Sequence, residues 1–107
     1  MPREKFQTLT EQMYYILLCL DSECYGTDIM DKICEMTHGR VRVGPGTLYN
    51  LLEQFLGAGM IKETKSHGRR RCYVLTERGR EILATEYNRL CALALDYKRM
   101  MQKEEES

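Results

Sequence analysis

The chain has 107 residues, 43% of them hydrophobic and 30% charged, and a formal net charge of zero. A chain this short supports one domain, or one domain plus a projecting element, and gains from a partner subunit that enlarges its limited core. No run approaches the roughly 18 apolar residues of a membrane span, and the opening MPREKFQTLT lacks the apolar stretch of a signal peptide, so a cytoplasmic chain without a membrane partner is expected.

The first helix is expected near Thr8, because Thr8 and Glu11 have capping-box spacing. Leu9, Met13, Ile16, Leu17 and Leu20 then share one face, and Asp21-Ser22-Glu23 interrupts the pattern. A second helix is expected from about Thr27 to His38, with Ile29, Met30, Ile33 and Cys34 inward and Gly39 as a left-handed stop. Its outer face carries Asp28, Asp31 and Glu35, which suits a support better than a DNA reader. Val43-Gly44-Pro45-Gly46 opens a third helix, since proline is well tolerated at a helix start. Leu48, Leu51, Leu52 and Phe55 form its buried stripe. The opposite side presents Thr47, Asn50, Gln54 and, at the margin, Tyr49, with Glu53 nearby. Asn and Gln can bond adenine bidentately in the major groove, and Thr can bond a base or touch a thymine methyl. An ordinary amphipathic helix has a polar outer face too, so this helix alone does not establish DNA reading. Gly44 and Gly46 are not a nucleotide loop, because neither the Lys-Ser/Thr of that motif nor a preceding strand accompanies them.

Gly57-Ala58-Gly59 ends the third helix. Met60–Ser66 and Arg70–Leu75 read as two strands, with Ile61, Thr64, Tyr73, Val74 and Leu75 as strand formers and His67-Gly68-Arg69 as the turn. The hairpin carries Lys62, Lys65, Arg69, Arg70 and Arg71 against Glu63. Edge protection against aggregation explains some of this charge, but three successive arginines exceed that need and suit phosphate or a minor groove. Thr76 caps a last helix that continues to about Lys103, beyond which the tail to Ser107 is expected to fray. Leu83, Tyr87, Leu90, Ala94, Tyr97 and Met101 recur at alternating steps of four and three, the repeat of a coiled-coil seam, so self-association as a homodimer is expected. Four helices and a hairpin make a mainly α chain of the α+β class.

The zero net charge hides a segregation. Residues 8–38 carry six acids and one base, whereas residues 39–80 carry nine bases and three acids. The basic block coincides with the hairpin, which points to a polyanion. The five cysteines, Cys19, Cys24, Cys34, Cys72 and Cys91, form no Cys-x-x-Cys pair, and His38 and His67 complete no zinc pattern. Reduced, mostly buried thiols are expected, with no metal and no cofactor, and a thiol-based redox sensor stands as the alternative. No paired carboxylates or nucleophile–base spacing supports an enzyme. A winged-helix protein-interaction module that never touches DNA stands as a further alternative.

In order along residues 8–80, Leu9-Thr10, Ile16-Leu17-Leu18, Tyr25-Gly26-x-x-Ile29, Gly46-Thr47-Leu48-Tyr49-x-x-Leu52, Gly59-Met60-Ile61 and Gly68-Arg69-x-Arg71-x-Tyr73-x-Leu75-Thr76-x-x-Gly79 resemble the PadR family of bacterial transcriptional regulators. The resemblance implies a winged helix-turn-helix over residues 1–76 and a C-terminal dimerisation helix over 77–107. It also implies a repressor of promoter DNA relieved by a small hydrophobic or phenolic ligand, which in so short a chain would lodge at the dimer interface. By motif, Tyr49 would sit at the DNA backbone and Gly68-Arg69 would form the wing tip. The full DNA-binding set is then Thr47, Tyr49, Asn50, Gln54, Lys65, Gly68, Arg69, Arg70 and Arg71. Two departures stand out. Asn50 follows Leu48-Tyr49 where many members have proline, so the operator sequence does not carry over. No tryptophan lies in the last helix, leaving Tyr87 or Tyr97 to stack on a ligand.

Overall fold

Thr10, rather than Thr8, starts the first helix, α1 (Glu11–Cys19): its hydroxyl accepts the Met13 amide at 3.2 Å. Just before it, the Leu9 amide donates to the buried Glu86 carboxylate, and Thr10 itself is extended. The computed structural model describes residues 8–106; residues 1–7, which carry most of the polar amino terminus, and Ser107 lie outside the described residues. Ile16, Leu17 and Leu20 are fully buried, as their spacing predicts.

A two-residue strand, β1 (Cys24–Tyr25), comes next, and it carries no periodic signal in the sequence. Its pairing ends at Tyr25, so the second helix, α2 (Gly26–Met36), begins at Gly26 rather than Thr27. That helix ends before His38 because the buried Thr37 hydroxyl donates to the Ile33 carbonyl at 2.8 Å and accepts the Val41 amide at 3.0 Å. His38 and Gly39 then take left-handed backbone at φ 53° and 77°, and the Gly39 amide closes back onto Cys34 at 2.8 Å, a Schellman-type stop. Val41 and Val43 plug the next turn into the core. Arg40 staples the turn to α1, pairing with Glu11 at 2.6 Å and the Tyr15 hydroxyl at 2.8 Å.

The third helix, α3 (Pro45–Gly57), has proline in its first turn and Gly59 at φ 73° just beyond its end, as expected. Leu48, Leu51, Leu52 and Phe55 form its buried stripe. The hairpin strands β2 (Ile61–His67) and β3 (Arg70–Leu75) form an antiparallel sheet with β1 in the order β1-β3-β2. His67 pairs with Arg70, so the turn narrows to Gly68-Arg69, with Gly68 at φ 62°. Glu63 pairs with Tyr73 but Lys65 pairs with Cys72, leaving Thr64 as a bulge. A bulge inserts one unpaired residue and swaps the faces of the strand residues beyond it. Glu63, Tyr73 and Arg71 therefore share one face, and Lys65, His67, Arg70, Cys72 and Tyr25 share the other.

The last helix, α4 (Glu77–Glu106), runs past Lys103, where fraying is expected from the sequence. Thr76 caps it by accepting the Gly79 amide at 3.1 Å. Ile82 and Leu83 pack on the core, Arg80 grips Asp21 at 2.5 Å, and Glu86 is 3% exposed. Burial opposes ionisation of Glu86, but hydrogen bonds from Arg89 and Leu9 outweigh it and hold its carboxyl below the usual range. From Tyr87 to Gln102 every residue is exposed. A straight helix of 30 residues spans about 45 Å, and the radius of gyration of 16.4 Å exceeds the ~13 Å of a globular chain this long.

A Cβ at Gly79 would meet the Met60 carbonyl oxygen at 2.0 Å, whereas one at Gly57 would meet nothing. Gly79→Ala is therefore expected to destabilise the fold by at least the ~1–3 kcal/mol of an overpacked core, on the order of 10 °C in Tm. Gly57→Ala should be neutral or stabilising by up to ~1 kcal/mol. Thermal melts of the two variants check the contrast, and equal Tm values would contradict it.

Candidate nucleic-acid interface

Helical spacing places Thr47 and Asn50 on the solvent side of α3, both exposed, while Gln54 at the next turn is half-buried. Tyr49 is 43% exposed and leans the other way, toward the wing. Its ring reaches the start of α2: a Cβ on Gly26 would lie 3.3 Å from Tyr49 Cε1 and 3.5 Å from Tyr73 Cε2. Gly26 thus sits where α2, α3 and the sheet meet, and a side chain there would crowd Tyr49. The outcome is an open cleft of about 270 Å³ that gathers Tyr49 and Glu53 from α3 with Arg69, Arg71 and Tyr73 from the wing. Burial raises the Tyr73 phenol above its ordinary pKa, so it stays protonated, a hydrogen-bonding group in the cleft wall.

The expected site residues therefore divide. Tyr49, Arg69 and Arg71 come together around the cleft. Gly68 forms the tip. Lys65 and Arg70 lie on the opposite wing face and are engaged there. Lys65 pairs with Glu23 at 3.3 Å, which pushes its ammonium above the usual lysine range. Arg70 pairs with Asp28 at 3.5 Å and lies 4.1 Å over the Tyr25 ring. Arg71 pairs with Glu63 at 3.5 Å. Arg69 has no carboxylate partner among the described residues. Neither has Arg42, an exposed cation just before α3 that sequence reasoning misses because it lies outside the hairpin. Tyr25-Gly26 is the visible sign of the cleft's third wall in the sequence, and the structure shows that a side chain at Gly26 would crowd Tyr49.

The seam residues also divide. Leu83 is half-buried against the chain's own core, whereas Tyr87, Leu90, Ala94, Tyr97 and Met101 are exposed. Leu93 and Met100, which the seam pattern omits, are exposed beside them.

A family model described as "Transcriptional regulator PadR-like family" matches residues 16–85. The chain belongs to the PadR-like family of transcriptional regulators. No curated protein sequence matches it significantly. Among solved structures, a PadR-like transcription factor from Bacteroides fragilis is 26% identical over 83% of this chain and 88% of its own, with a TM-score of 0.67. A PadR-like regulator from Bacillus cereus is 21% identical over 85% of this chain and 91% of its own, with a TM-score of 0.70. Bacillus subtilis PadR, solved in complex with operator DNA, is 24% identical over 69% of this chain but only 45% of its own, with a TM-score of 0.59. The likenesses agree with the α+β winged-helix architecture and the long last helix. As a PadR-like regulator the chain belongs with transcription factors rather than enzymes, and no helix among the described residues is long and apolar enough to cross a membrane.

Cys19, Cys24 and Cys72 are buried, Cys34 is partly so and Cys91 is exposed, all as free thiols. Burial pushes the Cys19 thiol from 9.0 up to about 11 and raises Cys24 as well. Only the thiolate is a strong nucleophile. A thiol reagent near neutral pH is therefore expected to modify Cys91 quickly and Cys19, Cys24 and Cys72 only after unfolding. Because the folded pKa of Cys19 is raised, its stabilisation is present below pH 9.0 and is lost as pH climbs toward about 11. Denaturant midpoints across that range should fall less steeply for Cys19→Val than for the wild type.

Proposed function

We propose that the protein is a homodimeric, sequence-specific DNA-binding repressor acting in the cytoplasm. The observation that carries this reading is the cleft that sets Tyr49 of α3 beside Arg69 and Arg71 of the wing. One structural unit thereby offers an uncharged helix face and guanidinium groups to the same duplex. Helix α3 enters the major groove, where Thr47 and Asn50 read base edges and the half-buried Gln54 supports them from the groove margin. Tyr49 and Arg69 position the backbone, joined by Arg71, Arg70 and Lys65 to the extent that these leave their carboxylates. Bacillus subtilis PadR, a structural relative, was solved with operator DNA, which supports DNA as the partner by similarity. The exposed apolar stripe of α4 supplies the dimer seam, which would present two reading helices about 34 Å apart, one helical turn of DNA. A pocket of about 300 Å³ between α1 and α4, lined by Leu9, Tyr14, Tyr15 and Leu90 together with the polar Thr10, Glu11 and Glu86, offers apolar and hydrogen-bonding walls to a flat phenolic inducer.

With ~6–10 phosphate contacts, affinity for promoter DNA should fall roughly 10³–10⁵-fold between 50 and 200 mM salt. Arg69→Ala should weaken all duplexes alike, whereas Asn50→Ala should cost roughly 1–3 kcal/mol on the preferred sequence alone. Gel shifts on the chain's own upstream region and on random duplex check this, and salt-insensitive binding would contradict the phosphate clamp. For the seam, Tyr97→Lys should convert a dimer to a folded monomer, because Tyr97 is 68% exposed and lies outside the core cluster of its own body. Sedimentation velocity decides it: an unshifted mass would place the interface elsewhere.

A further inference from the structure

Five cations on the hairpin face only Glu63 in the sequence, for a local net charge of +4. The fold changes that balance. Glu23, just before β1, pairs with Lys65, and Asp28, in the first turn of α2, pairs with Arg70. Counting these two carboxylates lowers the wing to +2. Arg70 is held twice, since its guanidinium also lies 4.1 Å over the face of Tyr25, within cation–π range. The Thr64 bulge makes this possible. Without it, Lys65 would share the face of Glu63 and the α3 cleft; with it, Lys65 turns to the face of Tyr25 and Arg70.

We infer that Glu23 and Asp28 are an electrostatic brake on DNA binding, standing in for phosphate on Lys65 and Arg70 so that the wing commits fewer cations to any duplex. The inference rests on the DNA-binding reading above and deepens it. Affinity for duplex DNA without a preferred sequence comes almost wholly from phosphate neutralisation, and its salt dependence counts the phosphates neutralised, at ~0.9 in log–log slope for each. Withholding two cations leaves α3 with a larger share of the binding and limits the time spent on non-preferred DNA. Each pair is about half exposed on both sides. Exposed pairs hold their partners weakly, so the brake lowers affinity without preventing binding.

The test compares wild type, E23Q/D28N, K65Q/R70Q, the fourfold combination and R69A by fluorescence anisotropy over a salt series. Two probes of equal length are used: a duplex that the wild type recovers from a randomised pool, and a scrambled version of it. E23Q/D28N should bind both at least roughly three- to tenfold tighter, with the log–log salt slope steeper by up to about 2 for each protomer, or about 4 for the dimer. K65Q/R70Q should weaken the wild type far less than R69A does, yet abolish the gain when combined with E23Q/D28N, a coupling that a mutant cycle reads directly. An unchanged or weaker E23Q/D28N overturns the brake, because the pairs would then be shaping the wing rather than occupying it. A K65Q/R70Q loss equal to that of R69A overturns it too. A wild type that recovers no sequence and binds neither probe removes the DNA-binding reading itself, whereas a wild type that binds normally beside a failed E23Q/D28N removes only the brake.

Discussion

Under the Met60 carbonyl there is room for a hydrogen at position 79 and nothing larger, and three parts of the molecule converge there. The Thr76 amide donates to Met60 at 3.0 Å, the Thr76 hydroxyl donates to Gly59 at 2.6 Å, and the Gly79 amide donates back to Thr76 at 3.1 Å. The end of α3, the two roots of the wing and the start of α4 are thereby knotted within a few residues. Close to it, the Leu75 amide donates to Leu20 at 2.9 Å and ties β3 to the end of α1. The relative setting of helix and wing, and hence the cleft between Tyr49 and Arg69, depends on this knot. A wing joined by a slack linker would lose that setting to the entropy of its own hinge.

The same closure explains why charge read along the chain and charge read in space differ. The acidic first third and the basic middle look like separate faces in sequence. Once β1 pairs with β3, Glu23 and Asp28 come within 3.5 Å of wing cations, and the polarity between segments is largely cancelled where they touch. Among the described residues, positive charge without a carboxylate partner includes Arg69 on the tip, Lys62 on β2 and Arg42 ahead of α3. In the proposed DNA complex, a wing with Lys65 and Arg70 engaged would make fewer demands on phosphate than a fully free basic ribbon, and would give more weight to the uncharged face of α3.

Features set by local chemistry were legible in the sequence. Proline and glycine bracket α3, apolar residues at helical spacing mark its buried side, and Thr76 announces α4 by its cap. Features set by distant partners were not. The start of α1 falls at Thr10, whose hydroxyl takes the Met13 amide, while Glu86, 77 residues after Leu9, takes the Leu9 amide. Strand β1 is too short to show a period and exists because Cys72 and Tyr73 offer it a ladder. The bulge at Thr64 leaves no trace in a run of alternating polar residues, yet it decides which face Lys65 joins. Among the site residues, identity was legible while engagement was not. Lys65, Arg70 and Arg71 look alike from sequence, and only the fold shows each with a carboxylate.

Glu86 marks the point where α4 changes role. Burying a carboxylate is costly unless its hydrogen bonds are made, and here Leu9 and Arg89 supply them. The buried anion joins the start of α1 to one turn of α4, adding to the anchors that Arg80, Ile82 and Leu83 provide. Beyond that turn the helix presents Tyr87, Leu90, Leu93, Tyr97, Met100 and Met101 to solvent. Their steps keep them on one side of the helix, outside the core cluster, so nothing in a single described chain buries them. The continuous heptad phase through Leu83 connects the covered part of the stripe to the bare part without a break. In the proposed homodimer, the same Glu86 contact in each protomer would bear on where this stripe lies relative to α3. In that proposal the spacing of the two α3 helices would depend in part on a buried carboxylate some distance from the DNA.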